Sequence, residues 1–450
     1  MQGGRHLSPA SCIQLETTPN AMPFRVYPFW VASVTNLLQK ILSEPLPADA
    51  LLQQFFRKHR KMGKRDRAFV AETVYGVLRH YRRLAHAAQD RANDLPFLVL
   101  LYLHVFGFGG ATLDLPVSLS ERNALEAAAQ RFQTPTLPEN PITALGIAYS
   151  LPDWLVAAWM AVLPPETVKA RCAALKEPAP LTIRVNTLKA DRERVRQRLL
   201  AEGFPCHPTP YSPVGLILEE KAYIFRTRAF QEGLFEVQDE GSQLISLLTE
   251  AQPGHVVVDG CAGGGGKTLH LAALMQGKGR LYAFDVHETR LLELRPRARR
   301  ADVHNIRLHV LPHNRAPIVR RLYGKADVVL VDAPCSGSGV LRRNPDAAWK
   351  ITPERVAALT AQQQQILEAY APLVRPGGRL VYATCSLLPD ENERQIETFL
   401  AHHPEFILIS ASEILQRQHI VLPGQTDAFL RLEPALQGTD GFFAAVLIRV

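Results

Sequence analysis

Two cysteines follow apolar runs of sequence and could take part in thiol chemistry. Cys335 comes after Val328–Asp332, and Cys385 comes after Arg379–Thr384. In an open parallel sheet, ligands and reactive groups collect at the carboxyl ends of the strands, so we expect both thiols to face one crevice. Lone free cysteines are more often small buried hydrophobic residues, but two of them behind strands favour catalysis.

Carbon methylation of a pyrimidine is a reaction that needs such a pair. C5 of cytosine is a poor nucleophile until a thiolate adds to C6 and creates an enamine, which attacks an electrophilic methyl group. The second thiol could assist removal of the C5 proton and release of the enzyme. Asp332 stands two residues before the proline of the first motif and could hydrogen-bond the N3/N4 edge of the base.

A glycine-rich segment, Asp259–Thr268, leads from an apolar run into a helix predicted to begin near Thr268. It is neither a Walker A motif, because Cys261 stands where the first glycine would be, nor G-x-G-x-x-G. Glycines let a backbone approach an adenosyl ligand, and a helix N-terminus favours a methionine carboxylate. S-adenosylmethionine therefore fits. The predicted cofactor-binding residues are Cys261, Ala262, Gly263, Gly264, Gly265, Gly266, Lys267, Asp285 and Asp332.

Asp285 ends the second predicted strand and lies 19 residues after Gly266. A carboxylate in this place commonly bonds ribose hydroxyls. It could instead cap a helix, but the glycine-rich segment before it favours ribose binding. The next predicted strand runs into His313 and Asn314, where no acid stands to contact adenine.

These residues belong to a predicted α/β domain with a doubly wound, mostly parallel sheet. Predicted strands alternate with helical stretches, the pattern of a Rossmann-like fold; they span residues 255–259, 281–285, 306–310, 326–332, 379–384 and 442–448. A small α/β unit and a region of helical periodicity precede them. We predict a flexible segment over residues 1–24, an all-helical domain over 25–140, linker helices with the small α/β unit over 141–232, and the Rossmann-like domain over 233–450.

Two groups of basic residues in the helical region suit phosphate contacts. The first is Arg57, Lys58, Arg60, Lys61 and the neighbouring Lys64, Arg65 and Arg67; the second is Arg79, Arg82 and Arg83. A solvated helical face with local acidic partners is the alternative. In the small α/β unit, Arg184 and Asn186 could reach RNA, although a solvated cap on an edge strand is the commoner role of such an arginine.

Composition limits the remaining possibilities. The chain has 450 residues, 47% of them apolar, and a net charge of +8, which is compatible with a polyanionic partner. The six cysteines include no C-x-x-C pair, so we predict no metal site and reduced, cytoplasmic thiols. The longest apolar stretch, Pro96–Gly107, contains His104 and is too short to cross a bilayer. We expect a soluble monomer that does not bind membranes.

The motifs together resemble the Nop/Sun family of S-adenosylmethionine-dependent RNA 5-cytosine methyltransferases, in particular the bacterial RsmB (Sun/Fmu) type that acts on 16S ribosomal RNA. The resemblance covers nearly the whole chain. It rests on Asp259–Thr268, Asp332–Asp346, Thr384–Ser386, Glu236–Gln243, Arg184–Asn186 and Gly438–Phe443. It implies a Rossmann-like class I methyltransferase domain, an RRM-like accessory domain around Arg184 and an N-terminal NusB-like RNA-binding domain.

The resemblance also implies roles for single residues. In the family, the thiol of the Thr-Cys motif adds to C6 and the thiol of the Pro-Cys motif promotes product release. Cys385 is then the nucleophile and Cys335 the release thiol, while Lys267 and Asp332 are similar in place to groups that hold the target base. Gly264 departs from the usual loop of the family, which reads Cys-Ala-Ala/Gly-Pro/Ala-Gly-Gly-Lys.

Two other functions stay open. A transfer RNA cytosine methyltransferase would use the same motifs, and only the NusB-like resemblance favours 16S ribosomal RNA, as free RNA or in an early subparticle. A non-catalytic ribosome assembly factor would need only the basic helical domain, but the intact cysteines and glycine-rich segment count against it. No sequence feature identifies the modified nucleotide.

Overall fold

The computed structural model describes residues 24–108, 113–220, 223–311, 316–425 and 428–450. The predicted N-terminal segment, apart from Phe24, lies outside the described residues, as do His313 and Asn314. The chain divides into two compact units, Met1–Asp153 and Trp154–Val450.

The first unit consists mainly of amphipathic helices, in agreement with the predicted periodicity. Its elements are β1 (Phe24–Arg25), α1 (Pro28–Ser43), α2 (Ala48–Lys58), α3 (Lys64–Ala88), α4 (Leu95–Phe106), β2 (Leu113–Asp114), α5 (Leu119–Gln133) and α6 (Pro141–Ala148). In α1, Val34, Leu38 and Ile41 are fully buried, because their three- and four-residue spacing places them on one face. The parallel pairing of β1 with β2 was not predicted. The likeness to a NusB-like domain stays a prediction.

The second unit begins with two helices and a small antiparallel sheet. The elements are α7 (Asp153–Met160), α8 (Pro165–Ala174), β3 (Leu181–Val185), α9 (Arg192–Ala201), β4 (Cys206–Pro208), β5 (Gly215–Leu218), α10 (Arg228–Gln231) and β6 (Phe235–Val237). The strand order is β4-β5-β3-β6, so β3, which carries Arg184, is an inner strand. The prediction that Arg184 lies on an edge strand is therefore wrong. The sheet also extends past residue 232, because β6 pairs with β3.

The rest of the second unit is the predicted doubly wound domain. Its elements are α11 (Glu240–Leu248), β7 (Val256–Asp259), α12 (Gly266–Leu274), β8 (Arg280–Asp285), α13 (Glu288–Arg300), β9 (Ile306–Val310), α14 (Pro317–Arg321), β10 (Ala326–Asp332), α15 (Pro353–Tyr370), β11 (Val374–Thr384), α16 (Glu393–His402), β12 (Phe406–Ile409), α17 (Ala411–Arg417), β13 (Leu430–Leu432), α18 (Pro434–Gln437) and β14 (Phe442–Arg449). The six predicted strands are all present, and β12 and β13 are additional.

The sheet order is β12-β14-β11-β10-β7-β8-β9, with β13 also on β14. The five strands from β11 to β9 are parallel, and β14 runs antiparallel to β11. The chain winds outward in both directions from β7 and β10. Their carboxyl ends therefore form the topological switch point, where such folds bind ligands. The predicted fold class is confirmed.

No helix within the described residues has the length and apolar character needed to cross a membrane.

Candidate functional site

The two predicted thiols meet at the carboxyl ends of neighbouring strands. Strands β10 and β11 are parallel, and their register places Asp332 opposite Ala383. The loops that follow (residues 333–339, the Cys335 loop, and residues 385–388, the Cys385 loop) leave the sheet together. Cys335 Sγ and Cys385 Sγ lie 3.3 Å apart, in hydrogen-bond contact. The sequence expectation that both thiols face one crevice agrees with this arrangement.

The surroundings of the two thiols differ in charge. The hydrogen bond to Cys385, burial, and the negative charges of Cys385 and Glu391 hold the pKa of Cys335 well above its usual value. Cys335 therefore keeps its proton and can donate it to the Cys385 sulfur. A negative sulfur at Cys385 and the ammonium of Lys267 stabilise each other, because the Cys385 charge contributes to the raised pKa of Lys267.

Lys267 lies in the first turn of α12 and forms an ion pair with Asp332, with Nζ 2.7 Å from Oδ2. Burial by itself lowers the pKa of Lys267, but the charge and the hydrogen bond of Asp332 outweigh it, so the pKa is raised. The Lys267 ammonium also lies 5.6 Å from the centre of the Phe442 ring. The structure thus brings Lys267, Asp332 and the two thiols into one crevice.

The predicted cofactor segment connects β7 to α12, which begins at Gly266. The backbone N–H of Gly263 donates to Asp285 Oδ2 at 2.8 Å, and that of His287 donates to Oδ1 at 2.7 Å. A cavity opens beside this turn; it is lined by Gly260, Cys261, Gly263, Asp285, Val286, His287, Arg290, Asp332, Pro334, Gln362, Ile366 and Tyr370. Of the predicted cofactor-binding residues, it includes Cys261, Gly263, Asp285 and Asp332.

This cavity has features that fit S-adenosylmethionine. Each Asp285 oxygen accepts one backbone hydrogen bond, and a carboxylate oxygen can accept another, here from a ribose hydroxyl. Val286 and Ile366 offer apolar surface for a base. Deeper in the fold, Asp259 Oδ1 is buried with no hydrogen-bond partner among the described residues. Burial raises the pKa of Asp259 to about 7, against the hydrogen bond from Thr268.

The other predicted cofactor residues face the supporting elements instead. The carbonyl oxygen of Gly266 accepts a hydrogen bond from Arg184 Nη1 at 2.7 Å, and that of Gly264 accepts one from Arg297. Gly265 has φ +85°, and a Cβ there would come within 2.2 Å of Leu294, so this position requires glycine.

Arg184 is only 2% exposed, and the prediction of a solvated cap is wrong. Its guanidinium joins the small antiparallel sheet to the cofactor segment, where it also contacts Gln238. Burial lowers the pKa of Arg184 to about 9. Asn186 is buried as well and donates to the carbonyl oxygens of Gly233 and Ala301. Neither side chain is exposed for contact with RNA.

Sequence reasoning missed Glu391, which lies between β11 and α16 and is fully buried. Its carboxylate accepts hydrogen bonds from Ser336 and Ser386, the residues that follow the two cysteines. A further donor is Gln363 on α15. The available signal was an acid shortly after the Thr-Cys motif, which a solvated turn residue would equally produce.

The basic residues of the first unit separate into two kinds. Arg57, Lys58, Arg60 and Lys61 (the exposed basic segment) point into solvent at the end of α2 and in the turn after it. Arg82 instead pairs with Asp153. Arg83 donates to the carbonyl oxygen of Phe132 and, like Arg82, is half-buried. The prediction of phosphate contacts is thus wrong for Arg82 and Arg83, which bind within their own unit.

No group of three metal-ligating side chains is present in the part of the chain that the structure describes.

Two family models match the chain. Residues 246–448 match the model described as 16S rRNA methyltransferase RsmB/F. Residues 151–224 match a model of the ferredoxin-like domain of RsmF/B-like methyltransferases. The second match falls on the small antiparallel sheet that the sequence predicted to be RRM-like.

Curated relatives match over most of their length. A probable ribosomal RNA small subunit methyltransferase B from Synechocystis sp. is 33% identical over 429 residues, which are 89% of this chain and 94% of the relative. The ribosomal RNA small subunit methyltransferase B of Vibrio cholerae is 30% identical over 427 residues, 90% of this chain and 93% of the relative.

Solved structures show the same fold. The crystal structure of PH0851 has a TM-score of 0.75 and 27% identity, and the match covers 95% of this chain and 100% of that one. A methyltransferase homolog from Pyrococcus horikoshii has a TM-score of 0.59 and 29% identity, with 70% of this chain and 100% of that one covered. The chain therefore belongs to the RsmB/F family of S-adenosylmethionine-dependent RNA methyltransferases.

Proposed function

We propose that this protein methylates C5 of a cytosine in 16S ribosomal RNA through a covalent bond between Cys385 and C6. The observation that carries the proposal is the contact between the two thiols, 3.3 Å apart beside the predicted cofactor cavity. The names of the relatives, ribosomal RNA small subunit methyltransferase B, support the substrate class.

Charge supports the division of labour between the thiols. Cys385 interacts electrostatically with the ammonium of Lys267, and a neighbouring cation favours the thiolate that attacks C6. Cys335 has a raised pKa and is influenced by Glu391, so it is the thiol that keeps its proton. After the methyl group is attached, the C5 proton leaves and its electron pair restores the C5–C6 double bond as the C6–S bond breaks. We assign assistance of this release to Cys335.

Asp332 and Lys267 hold the base in this proposal. Asp332 is paired with Lys267 and its side chain remains 30% exposed, so one carboxylate oxygen is available to the N4 amino group of cytosine. The ammonium of Lys267 fixes the orientation of that carboxylate. Hydrogen bonds that are set in place before reaction stabilise charge without reorganisation.

The cofactor supplies an electrophilic methyl group when it is bound. Asp285 would hold its ribose hydroxyls, and the backbone of Cys261 and Gly263 would line its binding cavity. The first turn of α12 would favour its carboxylate. Arg184 and Arg297 keep the carbonyl groups of this segment in place.

The first unit is proposed to bind RNA through the exposed basic segment. We also propose the functional division at residues 24, 140 and 232, with a NusB-like RNA-binding domain over 25–140 and an RRM-like accessory domain over 141–232. A cytosine inside a helix must be extruded before a thiol can reach C6, so a loop or junction of the RNA is the expected target.

The experiment that tests the reaction is a denaturing gel of protein incubated with S-adenosylmethionine and unmodified 16S ribosomal RNA. Cys385→Ala should abolish methyl transfer, since no thiol adds to C6. Cys335→Ala should retain the nucleophile and accumulate a covalent protein–RNA adduct. Sequencing the adduct would locate the cytosine.

Cys206→Ala is the matched control, because Cys206 lies on β4 of the small sheet and should retain wild-type activity. Equal, adduct-free loss of activity in Cys335→Ala and Cys385→Ala would contradict the proposed roles. Activity of the wild type on transfer RNA alone would reject the ribosomal substrate.

A further inference from the structure

One buried carboxylate connects the two thiol loops. Glu391 ends the short 3-10 turn Pro389–Glu391 and is 0% exposed. Its Oε1 accepts the backbone N–H of Ser336 at 2.8 Å. Its Oε2 accepts the hydroxyl groups of Ser336 and Ser386, each at 2.5 Å. Ser336 follows Cys335 directly, and Ser386 follows Cys385, so a single side chain bridges the backbone positions that carry the thiols.

The bridge is itself anchored to three surrounding elements. The Tyr382 hydroxyl on β11 donates to the Glu391 carbonyl oxygen at 2.7 Å. Gln363 on α15 donates to Glu391 Oε1 at 3.1 Å and to the carbonyl oxygen of Pro334, next to Cys335, at 2.9 Å. Because none of these donors is a cation, the buried charge is stabilised by hydrogen bonds alone, which is a costly way to connect two loops.

The two loops depend on Glu391 unequally. Ser336 donates two hydrogen bonds to the carboxylate, whereas Ser386 donates one. The Cys385 loop has other supports: its carbonyl at Cys385 accepts the N–H of Gly339, and the Ser386 carbonyl accepts the amide of Asn392. Loss of the carboxylate should therefore displace Cys335 more than Cys385.

We propose that Glu391 is a positioning residue that joins the two thiol loops and holds Cys335 where it can act on the adduct formed at Cys385. This proposal rests on the proposed function, in which one thiol bonds C6 while the other assists release at the adjacent C5. A displacement of about 1 Å can slow such a step about 100-fold. Release should therefore suffer more than attack when Glu391 is changed.

The first test measures the separation of the thiols without RNA or cofactor. Diamide oxidises two neighbouring thiols to a disulfide and takes up their two hydrogens, and mass spectrometry of peptides gives the rate of the Cys335–Cys385 disulfide. Glu391→Ala should lower this rate about ten-fold or more, as expected for a lost proximity effect. Glu391→Gln retains one acceptor oxygen and should fall between Glu391→Ala and the wild type.

Glu397→Ala is the control, because Glu397 is an exposed acid on the next helix, and its disulfide should form at the wild-type rate. A wild-type rate in a folded Glu391→Ala protein would overturn the positioning role. If Glu391→Ala does not fold, Glu391→Gln decides: a rate equal to the wild type counts against the proposal.

The second test separates attack from release. With S-adenosylmethionine and 16S ribosomal RNA, Glu391→Gln should accumulate adduct although Cys335 is present, and its turnover should fall more than its rate of adduct formation. Equal loss of both steps would indicate a merely structural role. If Cys335→Ala forms no adduct either, the proposed function fails, while the diamide result still decides whether Glu391 positions the thiols.

Discussion

Two sets of arginine and lysine residues look alike in the sequence and have opposite surroundings in the structure. The exposed basic segment at the end of α2 points into solvent. Arg184 and Arg297, in the second unit, bond the carbonyl oxygens of Gly266 and Gly264 in the cofactor segment. One set is available to a polyanion, whereas the other is occupied within the fold.

The difference shows how the two sets contribute to function. An exposed cation gains little in the folded protein and keeps its charge for phosphate. A buried guanidinium has lost its water and must be paired or hydrogen-bonded. Burial lowers the pKa of Arg184 to about 9, so the fold maintains this charge at a cost. Its benefit is the shape of the cofactor segment.

The largest effect on stability is expected for Arg184→Met. The substitution leaves the Gly266 carbonyl and the Gln238 side chain without their donor, and each unsatisfied buried acceptor costs about 1–3 kcal/mol. We expect the free energy of unfolding to fall by about 2 kcal/mol, because removal of a desolvated charge offsets part of the loss. Affinity for S-adenosylmethionine should fall as well. Urea denaturation and calorimetric titration of the cofactor measure the two effects.

Arg194→Met is the matched control, because Arg194 is exposed on α9 of the same small sheet domain. It should change the free energy of unfolding by less than about 0.5 kcal/mol. Equal stability and equal cofactor affinity in Arg184→Met and Arg194→Met would show that the buried arginine does not support the cofactor segment.

The strand ends and both thiols were predictable because they depend on local order. Alternating apolar runs place Cys335 and Cys385 behind β10 and β11, and parallel neighbours end at the same edge. The role of Arg184 was not predictable, since its partner Gly266 is 82 residues away. An arginine in a strand is usually solvated, and only the tertiary contact reverses that expectation. Glu391 was missed for the same reason, because its partner Ser336 is 55 residues distant.

A second, smaller effect concerns the pH dependence of stability at the buried carboxyl Asp259. Burial raises its pKa to about 7, whereas an unfolded aspartate titrates at about 3.9. Between these values the folded protein binds a proton that the unfolded chain lacks, so this group lowers stability as the pH rises. The slope approaches about 1.4 kcal/mol per pH unit and levels off above pH 7.

Asp259→Asn isolates this contribution. His270 is buried with a pKa lowered well below its usual value and titrates with the opposite sign, so the measured quantity is the difference between variant and wild type. By urea denaturation, that difference should grow in favour of the asparagine variant from pH 5 to pH 7. Glu397→Gln, on the surface of α16, should give a constant difference. A constant difference for Asp259→Asn would mean that Asp259 is ionised throughout this range.

The smallest effect on stability is expected for the exposed basic segment. Simultaneous change of Arg57, Lys58, Arg60 and Lys61 to glutamine should alter the free energy of unfolding by less than about 0.5 kcal/mol, because these side chains are solvated. Binding of 16S ribosomal RNA should weaken. Each lost phosphate contact lowers the salt dependence by about 0.7 for single strands, so filter binding should show a slope reduced by up to about 3.

Charge alone could produce part of that loss, so the comparison needs an equal change elsewhere. Four exposed basic residues lie before the amino ends of β8 and β10, opposite the crevice: Lys278, Arg320, Arg321 and Lys325. Their replacement by glutamine removes the same net charge and should leave the salt slope nearly unchanged. Equal slopes for the two quadruple variants would return the segment after α2 to the role of a solvated face. A reduced slope only for that segment would support contact with phosphates there, while Arg184 and Arg297 serve the cofactor segment.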